Sequence, residues 1–229
     1  ALQDSGCVNL RIGIESANPE MRNTILNKEL AQDTLEDAIA AIKKLGIAVT
    51  GYFIAGSPGE RPEWLLESLD FAYKHGVEFP AFFQYKPLAG TTVLDIADSL
   101  GSHVVAESLE EQADFLNGVN MTHQHIEAWQ LKAFLTLTHV LFGSRLISAQ
   151  YRREGPAYLT RLAKYFAMTS KLGFTPYMAF SYYVFYAGDH LNNPVQVEAS
   201  DRPGLRWRAS MALTRTWLRD WKSLGSRPV

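Results

Sequence analysis

The sequence holds a single cysteine, Cys7, among 229 residues. One thiol cannot build an intrachain disulfide framework, which points to a reducing, intracellular compartment and a cytoplasmic protein. A surplus of charge is also missing. The formal net charge is -2, which gives no global attraction to nucleic acid or a membrane surface. No unbroken apolar run reaches the roughly 18 to 20 residues that span a bilayer, so no transmembrane segment is expected. The first residues, Ala1 to Gly6, have neither the basic start nor the apolar stretch of a signal peptide. They read as the end of a helix closed by Gly6, so the chain is expected to begin within a domain. Internal repeats and low-complexity segments are absent as well.

What is present is an ordinary globular composition, 47% hydrophobic and 20% charged. Val8 to Glu15 carries β-branched, alternating apolar residues and predicts a strand. Asn18, Pro19 and Glu20 then read as a helix start. A second start is expected at Asp33, with Glu36 at capping-box spacing, and Gly46 closes that helix. Ile47 to Ile54 is the next strand, ending in the tight loop 55–60. Pro62 opens a helix whose apolar face is Leu65, Leu66, Leu69, Ala72 and Tyr73. A third strand covers Phe79 to Tyr85, followed by the turn 87–91 and a short helix from Thr92 to Leu100. Strands alternating with helices predict an α/β fold with a parallel sheet, and so few units do not close a barrel.

Composition changes after Gly101. Residues His103 to Leu116 are acidic and read as a connector or helix start. From Thr122 to Leu172 the pattern is mainly helical, and Phe174 to Tyr186 is strongly aromatic. A basic, Trp-containing helix is expected over Leu205 to Leu224. The division is therefore 1–101 and a mainly helical 102–229.

In parallel α/β folds, ligands meet the C-terminal ends of the strands. Those ends here are Gly13 to Ser16, Gly56 to Glu60 and Tyr85 to Thr91. The Glu15 and Glu60 carboxylates suit ribose hydroxyls or an amino group. Each also has a structural alternative. Glu15 could pair with Arg11 or Lys28, and Glu60 could serve the N-terminal end of the next helix. Gly56 and Gly59 could serve the turn alone. Cys7 reads as a small buried hydrophobe. His123 and His125, two apart on an expected helix, point in different directions and make no metal site.

The segments GCVNLRIGIES, NPEMRNTILNKEL, GIAVTGYFIAGSPGE and YKPLAGT, in that order, resemble the later strands of radical S-adenosylmethionine enzymes. Their spacing is nearest to the subgroup that carries a cobalamin-binding domain, over roughly residues 1 to 95. The resemblance implies the second half of a partial (β/α)6 TIM-like barrel. It implies a [4Fe-4S] cluster that reductively cleaves S-adenosylmethionine to a 5′-deoxyadenosyl radical, with cobalamin as a further cofactor of the subgroup. It implies a small organic substrate, an electron donor such as flavodoxin or ferredoxin, and no nucleic acid partner. Carried over, Glu15 and Ser16 lie at the ribose, while Ile54, Gly56, Pro58, Gly59 and Glu60 form the adenine wall. Tyr85 and Pro87 face the substrate. Two departures stand out. Ala89 occupies a position where the family has proline, and the three-cysteine cluster motif is not in this sequence. The chain alone is therefore expected to be inactive, with no metal ligands of its own. Two other readings compete. One is an unrelated barrel lyase or aldolase using Glu15 or Lys28; the other is a binding or scaffold domain that docks through its aromatic segment.

Overall fold

The computed structural model describes residues 4–105, 120–173, 175, 176, 179 and 180. Strands β1 (Asn9–Glu15), β2 (Ala48–Ala55) and β3 (Phe79–Gln84) form one parallel sheet in that order. Parallel neighbours cannot be joined by a tight hairpin and need a crossover. Helix α1 (Gln32–Lys44) supplies it between β1 and β2, and α2 (Pro62–Lys74) between β2 and β3. Leu35 and Ile39 of α1 and Leu65, Leu69 and Ala72 of α2 are buried against Ile14, Val49, Phe53 and Phe82 of the sheet. Tyr52 and Ile54 alternate to the other face of β2, as a strand's period of two requires.

The helix starts follow the sequence unevenly. Pro62 opens α2 at a position where its missing N–H has no partner to lose. Asn18 Oδ1 accepts the Met21 N–H at 3.0 Å, but the turn that follows, Glu20–Ile25, is π-helical. The expected capping box at Asp33 does not form. The helix begins one residue earlier at Gln32, and Glu36 instead accepts from Gln32 Nε2 at 2.7 Å. At the opposite edge of the sheet, the Glu78 carboxylate accepts the Val49 N–H at 2.7 Å and pairs with Lys43. This ties α1 to the starts of β2 and β3.

After β3 come α3 (Thr92–Asp95), a 3-10 turn (Asp98–Leu100) and a short antiparallel ribbon of β4 (His103–Val104) and β5 (Met121–Thr122). The expected helix over Thr92 to Leu100 is thus broken in two. Helices α4 (Ala128–Glu154) and α5 (Pro156–Lys171) follow. The helical stretch starts later than Thr122 because Glu127 and Gln130 make a reciprocal capping box. It breaks at Gly155, whose φ is 65°, and Pro156. Helix α4 covers β3. Phe134 meets Phe82 edge-on at 5.2 Å, and Phe82 stacks on Phe53 at 4.7 Å. Leu146 packs on Phe79 and Ala81.

The architecture is mixed α/β, and no closed barrel forms among the described residues. Cys7 is half-buried rather than buried, with Sγ 3.6 Å from the Asn9 carbonyl oxygen. It lies just before an edge strand that has no described neighbour on one side. Most of the acidic segment falls in 106–119, outside the described residues. So do the basic C-terminal helix and the aromatic run, apart from Thr175, Pro176, Ala179 and Phe180. No helix among the described residues is long and apolar enough to cross a membrane.

Phe82 joins sheet and α4, so Phe82→Ala is expected to destabilise the protein by about 3 to 5 kcal/mol in urea unfolding. A loss below about 1 kcal/mol would show that α4 does not share this core.

Candidate functional site

Because all three strands run parallel, Glu15, Gly56 and Tyr85 emerge at one edge of the sheet. The register of β1 against β2 slips between Gly13 and Glu15, a bulge that re-aims the Glu15 side chain. Glu15 takes φ 64°, a left-handed conformation that costs a side-chain-bearing residue about 1 to 2 kcal/mol. Its carboxylate folds back over Gly13. A Cβ at Gly13 would lie 2.7 Å from Glu15 Oε1, so glycine leaves the space the carboxylate uses. Lys28 Nζ meets the same oxygen at 2.8 Å, which realises one of the pairings open in the sequence. Asn27 and Glu29, on either side of Lys28, also have positive φ, at 52° and 50°. Backbone strain therefore gathers around this pair, and strain of this kind collects at functional sites.

Arg22 holds the strained segments in place. It is fully buried, and its guanidinium donates to the carbonyls of Ser16 (2.9 Å), Ala17 (3.4 Å) and Leu30 (3.1 Å) and to Gln32 Oε1 (3.0 Å). Burial pulls its pKa down from the usual arginine value. Ser16 is also fully buried, with its Oγ accepting the Asn18 N–H at 3.2 Å and lying 3.5 Å from Ser68 Oγ. It braces the loop from within.

The second strand end is dry and uncharged. Gly56 has φ 79°, and a Cβ there would lie 2.5 Å from Leu131 Cδ2 and 3.4 Å from His123 Nε2. Glu60 is 1% exposed, and its Oε2 accepts the N–H groups of Gly56 and Ser57. Burial pushes the Glu60 pKa up to about 8, against the pull of those two N–H groups. Its side chain therefore folds back on the turn that carries it. Pro58 is buried and Gly59 half-buried, with the Gly59 N–H donating to Ser102 Oγ at 3.1 Å. Ile54 is partly buried and packs with Tyr85, Ala97 and Met121.

At the third strand end, Tyr85 is buried, and that burial raises its pKa. Its carbonyl oxygen accepts from Asn120 Nδ2 at 3.1 Å. Pro87 is buried as well. The three predicted strand ends thus come to one edge, with Ala97, Ser102, Asn120, Met121, His123 and Leu131 packed over the second and third. Sequence reasoning missed Arg22, Ser102, Asn120 and His123. His123 and His125 precede α4 rather than riding on a helix, and the intervening residues leave no local pattern that ties His123 to Gly56. Among the described residues no cluster of three or more His, Cys, Asp or Glu is arranged to hold a metal.

No protein-family model matches the chain. The chain is 32% identical over 97 residues to an uncharacterized methyltransferase of Pyrococcus horikoshii, covering 42% of this chain and 21% of that protein. It is 31% identical over 87 residues to a bacteriochlorophyllide d C-12(1)-methyltransferase of Chlorobaculum tepidum, covering 38% and 19%. It is 28% identical over 123 residues to a tRNA-2-methylthio-N(6)-dimethylallyladenosine synthase of a Thermoanaerobacter species, covering 52% and 25%. The chain spans about a fifth to a quarter of the length of these relatives. Its curated relatives are thus methyltransferases and a tRNA methylthio-group synthase.

Glu60 gives a pH signature. A carboxyl raised to about 8 stays protonated in the folded protein while the unfolded chain ionises near 4.5. Its stabilisation is complete below 4.5 and is lost as pH rises through 8. His123 and His139, both pushed down to about 4 by burial, act in the opposite direction, but only below their unfolded value of 6.5. Between pH 6.5 and 8, stability is therefore expected to fall from Glu60 by at most about 1.4 kcal/mol per pH unit, with the slope easing as pH approaches 8. Glu60→Gln should flatten that slope in urea unfolding. An unchanged slope would mean that the carboxyl is ionised in the fold.

Proposed function

We propose that this chain is part of a radical S-adenosylmethionine enzyme that transfers a methyl or methylthio group to an organic substrate. The observation that carries this reading is the convergence of the ordered motifs at one sheet edge, with a strained carboxylate at the first of them. The methyltransferase and methylthio-group relatives support the same class of chemistry. In this reading residues 1–101 contribute the second half of a partial barrel, and 102–229 a mainly helical region that follows it.

The residues fit S-adenosylmethionine at the first strand end. The Glu15 carboxylate is an acceptor suited to vicinal ribose hydroxyls, and charge-assisted hydrogen bonds of this kind are the strong ones. Gly13, without a side chain, leaves the approach open. Lys28 holds the carboxylate in register, and its ammonium has donors to spare for the ligand's own carboxylate. Ile54 and the Gly56–Glu60 turn form the wall for the base, and Tyr85 and Pro87 border the substrate. The residues do not fit an iron–sulfur cluster, which needs three thiolates where this sequence has one cysteine. In this reading the cluster's thiolate ligands belong to residues other than those described, and cobalamin and an electron donor of the flavodoxin or ferredoxin type act together with that cluster.

The gene product that carries this chain, purified without oxygen, is expected to bind S-adenosylmethionine and pass its labelled methyl group to product in the presence of a reductant, with release of 5′-deoxyadenosine. Glu15→Gln should weaken binding by roughly tenfold to a hundredfold, the range for hydrogen bonds to a charged group. Absence of binding at millimolar S-adenosylmethionine would overturn the reading.

A further inference from the structure

Among the described residues, three that bear side chains hold a left-handed backbone, and all three carry or flank one ion pair. Glu15 (φ 64°) supplies the carboxylate, while Asn27 (φ 52°) and Glu29 (φ 50°) bracket Lys28, whose Nζ lies 2.8 Å from Glu15 Oε1. Backbone of this kind persists only where its surroundings over-determine it. The pair is reachable from solvent, since Lys28 is exposed and Glu15 half-buried.

One side chain reaches both strained segments. Arg22 is fully buried in the π-helical turn Glu20–Ile25, and its guanidinium branches three ways. Nη1 donates to the Ser16 and Ala17 carbonyls, just after Glu15. Nε donates to the Leu30 carbonyl, just after Glu29. Nη2 donates to Gln32 Oε1 in the first turn of α1, and Gln32 Nε2 is itself fixed on Glu36. The π-helical turn also grips the Lys28 loop directly. The Lys28 N–H donates to the Arg22 carbonyl at 3.1 Å, and Asn23 exchanges two hydrogen bonds with Leu30, at 2.9 and 3.0 Å.

Each of these guanidinium acceptors is a neutral oxygen. A cation buried against neutral partners recovers little of its desolvation cost as net stability. What the planar fork supplies is geometry, because its donors point in set directions. A lysine at the same place would offer three donors on one nitrogen and no fork.

We propose that Arg22 is a positioning residue for S-adenosylmethionine: it fixes the two left-handed segments against each other and so presents the Glu15 carboxylate, paired with Lys28, in a preformed orientation. This rests on the S-adenosylmethionine reading of the first strand end. Arg22 acts through Glu15 and touches no ligand itself. Preorganisation of this kind raises affinity by removing the cost of ordering the loops on binding.

The test is a double-substitution cycle on the gene product that carries this chain, with S-adenosylmethionine binding followed by calorimetry and folding by urea unfolding. Arg22→Lys is expected to weaken binding about tenfold on its own, and by less than about threefold where Glu15→Gln is already present. A purely structural role would lower the urea midpoint while leaving the affinity of the folded protein unaltered, or would weaken it equally in both backgrounds. Either result would overturn the role of Arg22 and leave the S-adenosylmethionine reading intact. If Arg22→Lys does not fold, Gln32→Leu, which removes one guanidinium acceptor at a half-buried position, runs the same cycle. Its expected loss is about fivefold alone and less than about twofold beside Glu15→Gln. Full affinity in Glu15→Gln, or no binding by the unsubstituted protein, would contradict both the role and the reading.

Discussion

The position of β2 between two parallel neighbours is the constraint on which the rest of the site depends. Parallel pairing forces each connection to cross back over the sheet, so every strand delivers its C-terminal end to the same edge. Segments 41 residues apart, such as Asn9 and Thr50, then meet side by side, and Asn9 Nδ2 donates to Thr50 Oγ1 at 3.1 Å. The buried face of β2, with Val49, Phe53 and Ala55, anchors this arrangement to both crossover helices and to α4. Losing the register of β2 would separate Glu15 from Gly56 and dissolve the shared edge.

The edge divides into two chemical environments. Around Glu15 the groups are charged and partly solvated, with 14% of the carboxylate side chain exposed beside Lys28. Around Gly56 they are neutral and dry, because burial keeps Glu60 protonated and His123 uncharged. Arg22 links the first environment to the fold. It is a buried cation that spends its hydrogen bonds on carbonyls and an amide oxygen, and so pins both segments whose backbones are strained.

Much of this order was legible in the sequence because it is periodic or punctuated. The strands were marked by β-branched and aromatic runs, and α2 by Pro62 at its start and Gly76 beyond its end. Strand-end placement of Glu15, Gly56 and Tyr85 followed from the alternation of strands and helices. The start of α4 was not legible in the same way. Glu127 is an uncommon N-cap, and its pairing with Gln130 gives no signal as strong as serine or aspartate would. That displaced His123 onto an expected helix and hid its approach to Gly56. The left-handed Glu15 and the burial of Arg22 arise from tertiary packing, which local propensity does not encode.

Hydrogen–deuterium exchange with and without S-adenosylmethionine, on the gene product that carries this chain, tests the central claim most directly. Protection is predicted in two separated segments, around Glu15 to Asn18 and around Ala55 to Glu60, because the backbone amides there lie at the shared edge. Protection absent from both, or confined to the outer groove between α1 and α2 lined by Gln32, Glu67, Phe71 and His75, would contradict the account.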